Sequence, residues 1–327
     1  MLPQGGHFVA GTLTLNGNSA SGDTIYTLSN TGNSVGTLIA NLGTSAGGVG
    51  TGTLTYVDDT SAGYNLGAVT AGIVTLTELA SNSTVKQLGG TGVKAMSLML
   101  DGSSDGTASF RLDAGGAGNP STNAVGALIA NLGTSVGGVG TGTLTYVDNS
   151  TGYTLGAITA GSVTLSEQAA NATISQAAAG TINLGTGTLT LNGAATNDTT
   201  YTLTNANTVG SLAASLGLMG GTLSFTDAGS YALGAITAGN VTLKETASAA
   251  TILQSGALNV SGTLTLNGNP TGNTVYNLSN ANNTVGTLAA NLAAAHTLTR
   301  MRAANTSSVP SRRTPMTGRR RARRRTA

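Results

Sequence analysis

The stretch Val35-Gly-Thr-Leu-Ile-Ala-Asn-Leu-Gly43 decides the fold, because the chain says it four times. It returns as Val125 to Gly133, as Val209-Gly-Ser-Leu-Ala-Ala-Ser-Leu-Gly217, and as Val285 to Leu292. The offsets are 90, 84 and 76 residues (125 − 35, 209 − 125, 285 − 209). Leu66-Gly-Ala-Val-Thr-Ala-Gly72 recurs at Leu155 and Leu233, and Gly11-Thr-Leu-Thr-Leu-Asn-Gly17 at Gly187 and Gly262. In the second unit the diverged Met96-Ser-Leu-Met-Leu-Asp-Gly102 takes its place. Self-similarity on this scale marks a repeat architecture. We divide the body into three full units and the start of a fourth, beginning near residues 11, 93, 187 and 262.

Inside each unit the hydrophobic period is two, the period of a strand. In Thr12-Leu13-Thr14-Leu15 the leucines face one way and the threonines the other, and Thr53-Leu54-Thr55-Tyr56 and Val74-Thr75-Leu76-Thr77 repeat the alternation. Gly, Asn, Asp and Ser separate these runs, and Asn16-Gly17-Asn18 and Asn30-Thr31-Gly32-Asn33 suit tight corners. Such strands build either an antiparallel sandwich or a coil of stacked rungs. The unit length favours the coil: about four turns of ~20 residues, each of three short strands. The expected fold is an all-β parallel β-helix (β-solenoid) over residues 11–294, with roughly 14 rungs and a rod on the order of 65–70 Å long. Residues 1–10 are read as an irregular stub and 295–327 as an Arg-rich tail, disordered or partly helical. Unequal unit lengths are assigned to corner loops such as Gly115-Gly-Ala-Gly-Asn-Pro120.

The aromatic residues fall into equivalent sets: Tyr26, Phe110, Tyr201 and Tyr276; Tyr56, Tyr146 and Phe225; Tyr64, Tyr153 and Tyr231. Each sits two residues from a leucine and shares its inward face. They are expected to fill wide points of the coil with the hydroxyl near a corner; the alternative is an aromatic platform for sugars.

Composition narrows the function. Charged residues are 8% and aromatics 3%, with 49 Gly and no Cys, so disulfides, thiolate metal sites and a Cys nucleophile are all excluded. A cysteine-free chain suits export. No apolar run approaches the ~20 residues of a spanning helix. The opening Met1-Leu2-Pro3-Gln4-Gly5-Gly6-His7 lacks the basic and apolar regions of a signal peptide. Through Ala295 four basic residues (Lys86, Lys94, Arg111, Lys244) face 12 acids, a net −8, whereas ten Arg lie between Arg300 and Arg325.

Phrases of the type Tyr26-Thr-Leu-Ser-Asn30, Asn33-Ser-Val-Gly-Thr-Leu38, Gly52-Thr-Leu-Thr-Tyr56 and Ile73-Val-Thr-Leu76 resemble filamentous haemagglutinin-like exoproteins of the two-partner-secretion type, and autotransporter-like adhesin repeats. The resemblance covers about residues 11–292. It implies a right-handed parallel β-helix, secretion or display at the bacterial cell surface, adhesion to host or cell-surface glycans or proteins, and an outer-membrane export pore as partner. The family's amino-terminal secretion domain is missing, and we expect the chain to be a fragment of a larger adhesin. Uncapped terminal rungs then predict end-to-end self-association.

Residues that could carry chemistry are few. His7 and His296 lie outside the repeats, so a Ser-His-Asp triad or a His metal site would rest on a ragged end. Gly47-Gly-Val-Gly-Thr-Gly52 and its copy Gly137 to Gly142 lack the Lys-Ser/Thr of a phosphate loop and the Asp of a calcium repeat, and are read as corners. Asp58, Asp59 and Asp148 are corner candidates for a metal, with a solvated turn as the simpler expectation. A polysaccharide-active β-helix enzyme would need Asp58, Asp59, Glu78 and Asp148 on one face near Lys86 or Arg111. Thr-x-Thr phrases raise ice binding, which needs the phrase at one position on every rung; in sequence it moves around the unit. Arg312, Arg313, Arg319, Arg320, Arg321, Arg323, Arg324 and Arg325 form a tail able to hold nucleic acid or an anionic surface nonspecifically; a frame change in GC-rich repeat DNA also explains the abrupt loss of pattern. We therefore expect no enzyme activity and no cofactor.

Overall fold

The structure, a computed structural model, describes residues 6–17, 24–43, 50–113, 121–133, 138–194, 198–292 and 297–299. Among them 26 strands and no helix form one continuous parallel sheet, wound as a β-solenoid of about 11 turns. The Arg-rich tail and the segment Gly115 to Pro120 lie outside the described residues, as do parts of both Gly-rich phrases.

Most strands hydrogen-bond to the strand two places further along the chain, so each turn lays down two main strands on facing walls. On one wall, here the front, Tyr26 stacks under Leu54, Leu54 under Val74, Val74 under Leu98 and Leu98 under Leu128. On the back wall Phe110 stacks under Leu144, Leu144 under Val163 and Val163 under Leu189. Short third segments such as Val93–Lys94, which pairs with Val69–Thr70, round off some corners. The expected 14 rungs become about 11 because turns run longer than ~20 residues: 20 from Tyr56 to Leu76 (76 − 56), but 30 from Leu98 to Leu128 (128 − 98). At ~4.8 Å per rung the described rod is about 50 Å long.

One sequence unit is not a whole number of turns. From the strand bearing Tyr26 to the one bearing its equivalent Phe110 is seven strand positions (9 − 2), or three and a half turns at two per turn. Successive copies therefore alternate between walls: Tyr26 and Tyr201 stand on the front, Phe110 and Tyr276 on the back.

The core is the inward half of every strand. Leu54, Leu76, Leu98, Leu165, Leu191, Leu212 and Leu243 are fully enclosed. Nine of the ten repeat aromatics are buried, with Tyr26 half-buried, which removes the sugar-platform alternative. Rings that are not equivalents pair edge to face across the core: Tyr56 with Tyr64 at 5.4 Å, Tyr146 with Tyr153 at 5.5 Å, Phe225 with Tyr231 at 5.8 Å.

A second column inside the coil is polar. Asn33, Asn123, Asn207 and Asn283 recur at the repeat offsets and are buried. Each amide ties neighbouring rungs together. Asn207 accepts from Gln176 Nε2 (2.7 Å) and Ile182 N (2.9 Å) on the rung below, and donates to Leu203 O (3.3 Å) and to Thr226 O (2.9 Å) above. Asn123 repeats this with Gln87, Val93, Leu112 and Val147. At corners positive φ is carried by Asn82 (57°) and Asn171 (55°), which L side chains adopt rarely but Asn tolerates.

Replacing Asn207 by Ala strands the Ile182 amide and the Leu203 and Thr226 carbonyls without water. At ~1–3 kcal/mol per orphaned buried group, N207A should cost at least ~2 kcal/mol. Because contacts in a coil are with neighbouring rungs, hydrogen exchange should quicken around Ile182 and Thr226 and stay unchanged around Leu54.

Candidate functional site: acidic clusters inside the coil

The alternation that buries Leu54 and Tyr56 continues one step further and buries Asp58, which is 0% exposed. In the next rung Val74 and Leu76 lead to Glu78, also 0% exposed, and Asp58 and Glu78 are register partners. The pair recurs as Asp148 with Glu167 on the back wall and as Asp227 with Glu245 on the front. All six carboxyl groups are enclosed. The solvated-turn expectation therefore fails for Asp58 and Asp148 and holds for Asp59, which is exposed.

Each aspartate is well supplied with donors. Asp58 accepts from Thr60 N (2.8 Å), Val35 N (3.2 Å) and the Tyr56 hydroxyl. Asp148 accepts from Ser150 N (2.7 Å), Val125 N (3.4 Å) and the hydroxyls of Tyr146 and Ser150. Asp227 accepts from Gly229 N (2.8 Å) and Val209 N (3.2 Å), and Phe225 replaces the tyrosine that would supply a hydroxyl. Each glutamate is held by one oxygen only: Oε1 accepts from Ala80 N in the first cluster, from Gln168 N and Ala169 N in the second, and from Thr246 N and Ala247 N in the third. The other oxygen, Oε2, has no hydrogen bond of good geometry in any of the three, although the Ser83 hydroxyl interacts with the Glu78 carboxylate; the buried hydroxyls of Tyr64 and Tyr231 have no hydrogen-bond partner. The Tyr153 hydroxyl interacts with that of Tyr201 but without good hydrogen-bond geometry.

Desolvation disfavours charge here. Burial, reinforced by the neighbouring aspartate and opposed by the backbone N–H donors, pushes Glu78 and Glu245 up to about 7 and Glu167 up to about 8. Burial pushes Asp227 up to about 7, and Asp148 is raised from its ordinary value by the same cause against the pull of its hydroxyl and amide donors. The tyrosines Tyr64, Tyr153 and Tyr231 are driven far above their ordinary value by burial.

The sequence picked out Asp58, Glu78 and Asp148 but did not single out Glu167, Asp227 or Glu245. The available signal was the period itself, since each acid lies two residues beyond an inward Leu, Tyr or Phe. The enzyme reading required these acids on one open face; Asp58 with Glu78 and Asp148 with Glu167 are instead enclosed on opposite walls, and Lys86 and Arg111 belong to a stacked outward column. Arg111 Nε contacts Asp113 at 2.8 Å. Among the described residues no group of three or more His, Cys, Asp or Glu side chains could hold a metal ion.

No family model matches the chain, and no curated protein or solved structure matches it. What fold and site define is a class: a parallel β-solenoid repeat protein with an apolar core interrupted by three internal acidic clusters.

Substituting Tyr146 by Phe removes from the second cluster the ring hydroxyl that the third also lacks. Loss of the hydroxyl donor should cost roughly 1–3 kcal/mol and raise the Asp148 carboxyl further above its ordinary value, read by carboxyl carbon NMR across a pH titration.

Proposed function

We propose that the chain is a structural and adhesive segment of a secreted or surface-displayed filamentous protein. The supporting observation is the form of its surface: a rod that places ladders of small neutral side chains on parallel walls. The resemblance of the repeat phrases to those of filamentous haemagglutinin-like exoproteins points the same way. The walls are poor in charge, with Lys86 stacked under Arg111 as an exception on the back wall. Such a surface suits neutral glycans, whose hydroxyls exchange hydrogen bonds with Thr, Ser and Asn. End-to-end stacking belongs to this proposal, since the edge strands Val9–Asn16 and Thr284–Asn291 each pair on one side only among the described residues. Full-length protein on a neutral and acidic glycan panel should retain neutral glycans with little salt dependence. Retention of none, or release of new reducing ends from a bound polysaccharide, would overturn the proposal.

One observation favours a second reading. The quoted Thr-x-Thr phrases do fall on both walls, yet the front wall also carries an unbroken ladder that the sequence hid. Thr173/Ser175, Thr200/Thr202, Thr222/Ser224, Asn240/Thr242 and Thr263/Thr265 stand on five successive rungs. Behind them Ile174, Tyr201, Leu223, Val241 and Leu264 are buried and hold the strands firm. Spacings of ~4.8 Å between rungs and ~6.7 Å along a strand make a neutral, periodic array suited to an ice surface. The intact protein should then slow ice recrystallisation, T202K combined with S224K should abolish the effect, and T145K on the back wall should leave it unchanged. No slowing by the unsubstituted chain ends this reading.

A further inference from the structure

The three acidic clusters share an unusual pattern of unmet demand. In each, one glutamate oxygen and one tyrosine hydroxyl are enclosed without a hydrogen bond of good geometry, one rung from a buried aspartate that is well supplied with donors. The same atoms are left unmet in each copy of the unit, on the front wall, then the back, then the front again. Two carboxylates a single rung apart, ~4.8 Å, cannot both be ionised in a dry core unless something positive lies between them.

Among the described residues none brings such a charge to the clusters. Facing the first cluster are Tyr56, Tyr64, Asp58 and Glu78, with Asp59 outside; facing the second are Tyr146, Tyr153, Tyr201, Asp148 and Glu167; facing the third are Asp227, Tyr231, Tyr276 and Glu245. Lys244, adjacent to Glu245 in sequence, points outward by the strand alternation and is exposed. A hard metal ion requires six or more oxygen ligands, whereas each cluster has only a glutamate Oε2 and a tyrosine oxygen free. A proton needs one.

We infer that each cluster is a proton-binding site, in which Glu78, Glu167 and Glu245 stand in the core as neutral carboxylic acids beside an aspartate, the proton residing on Oε2. Beside Glu78, Asp58 already accepts from two amides and one hydroxyl, so the glutamate is the carboxyl with an oxygen left unmet. Protonation removes the repulsion between the stacked carboxyls and converts the orphaned Oε2 into a donor for the tyrosine oxygen, directly or through one water.

The linkage has a definite direction. An unfolded glutamate titrates near 4.5, and in the folded coil near 7 to 8. Between those values the folded state binds more protons, so stability is greatest below pH 4.5 and declines as pH rises toward 8. Above that window the glutamates contribute no further change. The coil is thus an acid-tightened rod, the reverse of a protein whose carboxylates are salt-bridged.

Thermal unfolding of the full chain between pH 4.5 and 9 tests this, beside the variant E78Q/E167Q/E245Q, since Gln has the shape of the neutral acid. The native midpoint should fall as pH rises; the variant should fall less steeply, keeping only the part carried by Asp148 and Asp227, and should melt higher than native at pH 8. A variant with the native slope, or one melting lower at every pH, would overturn the inference. Infrared difference spectra of the native protein at pH 6 should show a protonated carboxylic acid that vanishes on raising the pH, and its absence overturns the inference even if the triple variant does not fold. A midpoint at pH 8 raised by calcium and lowered by chelator would also overturn it, assigning the clusters to a cation.

Discussion

Everything in this molecule follows from the fact that a parallel rung has only one inside. Once the backbone amides of a strand are committed to the rungs above and below, alternate side chains must enter a space shared with the facing wall and with both neighbouring rungs. A residue at an inward position has no turn or rotation by which to escape, so its chemistry must be satisfied where it stands. That is why Asp58, two residues beyond Tyr56 and four beyond Leu54, is enclosed despite its charge. It is also why its environment supplies amides from Val35 and Thr60 together with a hydroxyl from Tyr56.

The polar residues of the core complement the apolar ones. Alternating Leu, Val and Thr would tolerate a shift of two residues, because the same kinds of side chain would still face inward. The asparagine column does not tolerate it. Asn123 matches Gln87 and the amide of Val93 on one side and the carbonyl of Val147 on the other, and a slip would leave all of them dry and unpaired. The acid–tyrosine clusters act similarly at a different point of the cross-section. Apolar burial drives the coil together, and these buried polar contacts fix which rung meets which.

Fold class was legible from sequence because both of its signals, period two and the repeated phrases, survive averaging over a unit. Turn count was not, since a Gly- and Ser-rich loop and a rung have similar compositions, and only pairing shows that Leu98 meets Leu128 thirty residues later. Residue type misled in the acidic clusters: aspartate beside glycine and asparagine suggests a solvated corner, and that outweighed a period pointing inward. Asn33 was read for its tolerance of unusual backbone, yet its φ is not positive, and its contribution is the side-chain bonds to Leu28 O and Val57 O, each 3.0 Å. The Thr-x-Ser steps of the front ladder escaped notice because, in a strand pattern, serine and threonine differ as letters more than as surfaces.

The half-turn in the repeat connects these observations. A unit of three and a half turns places each copy of a motif on the wall opposite its predecessor, so no two acidic clusters of adjacent units share a wall. Clusters stacked on one wall would leave one side of the core polar and the other apolar, and would bring buried carboxyls of different units closer together. Alternation spreads their desolvation cost along the rod and leaves apolar rungs, such as those of Leu98 and Leu128, between clusters. It also explains why the outer ladders cannot be read from the repeat. Each wall is assembled from the odd half of one unit and the even half of the next, so a face can be more regular than the sequence that builds it, as the five rungs from Thr173 to Thr265 are.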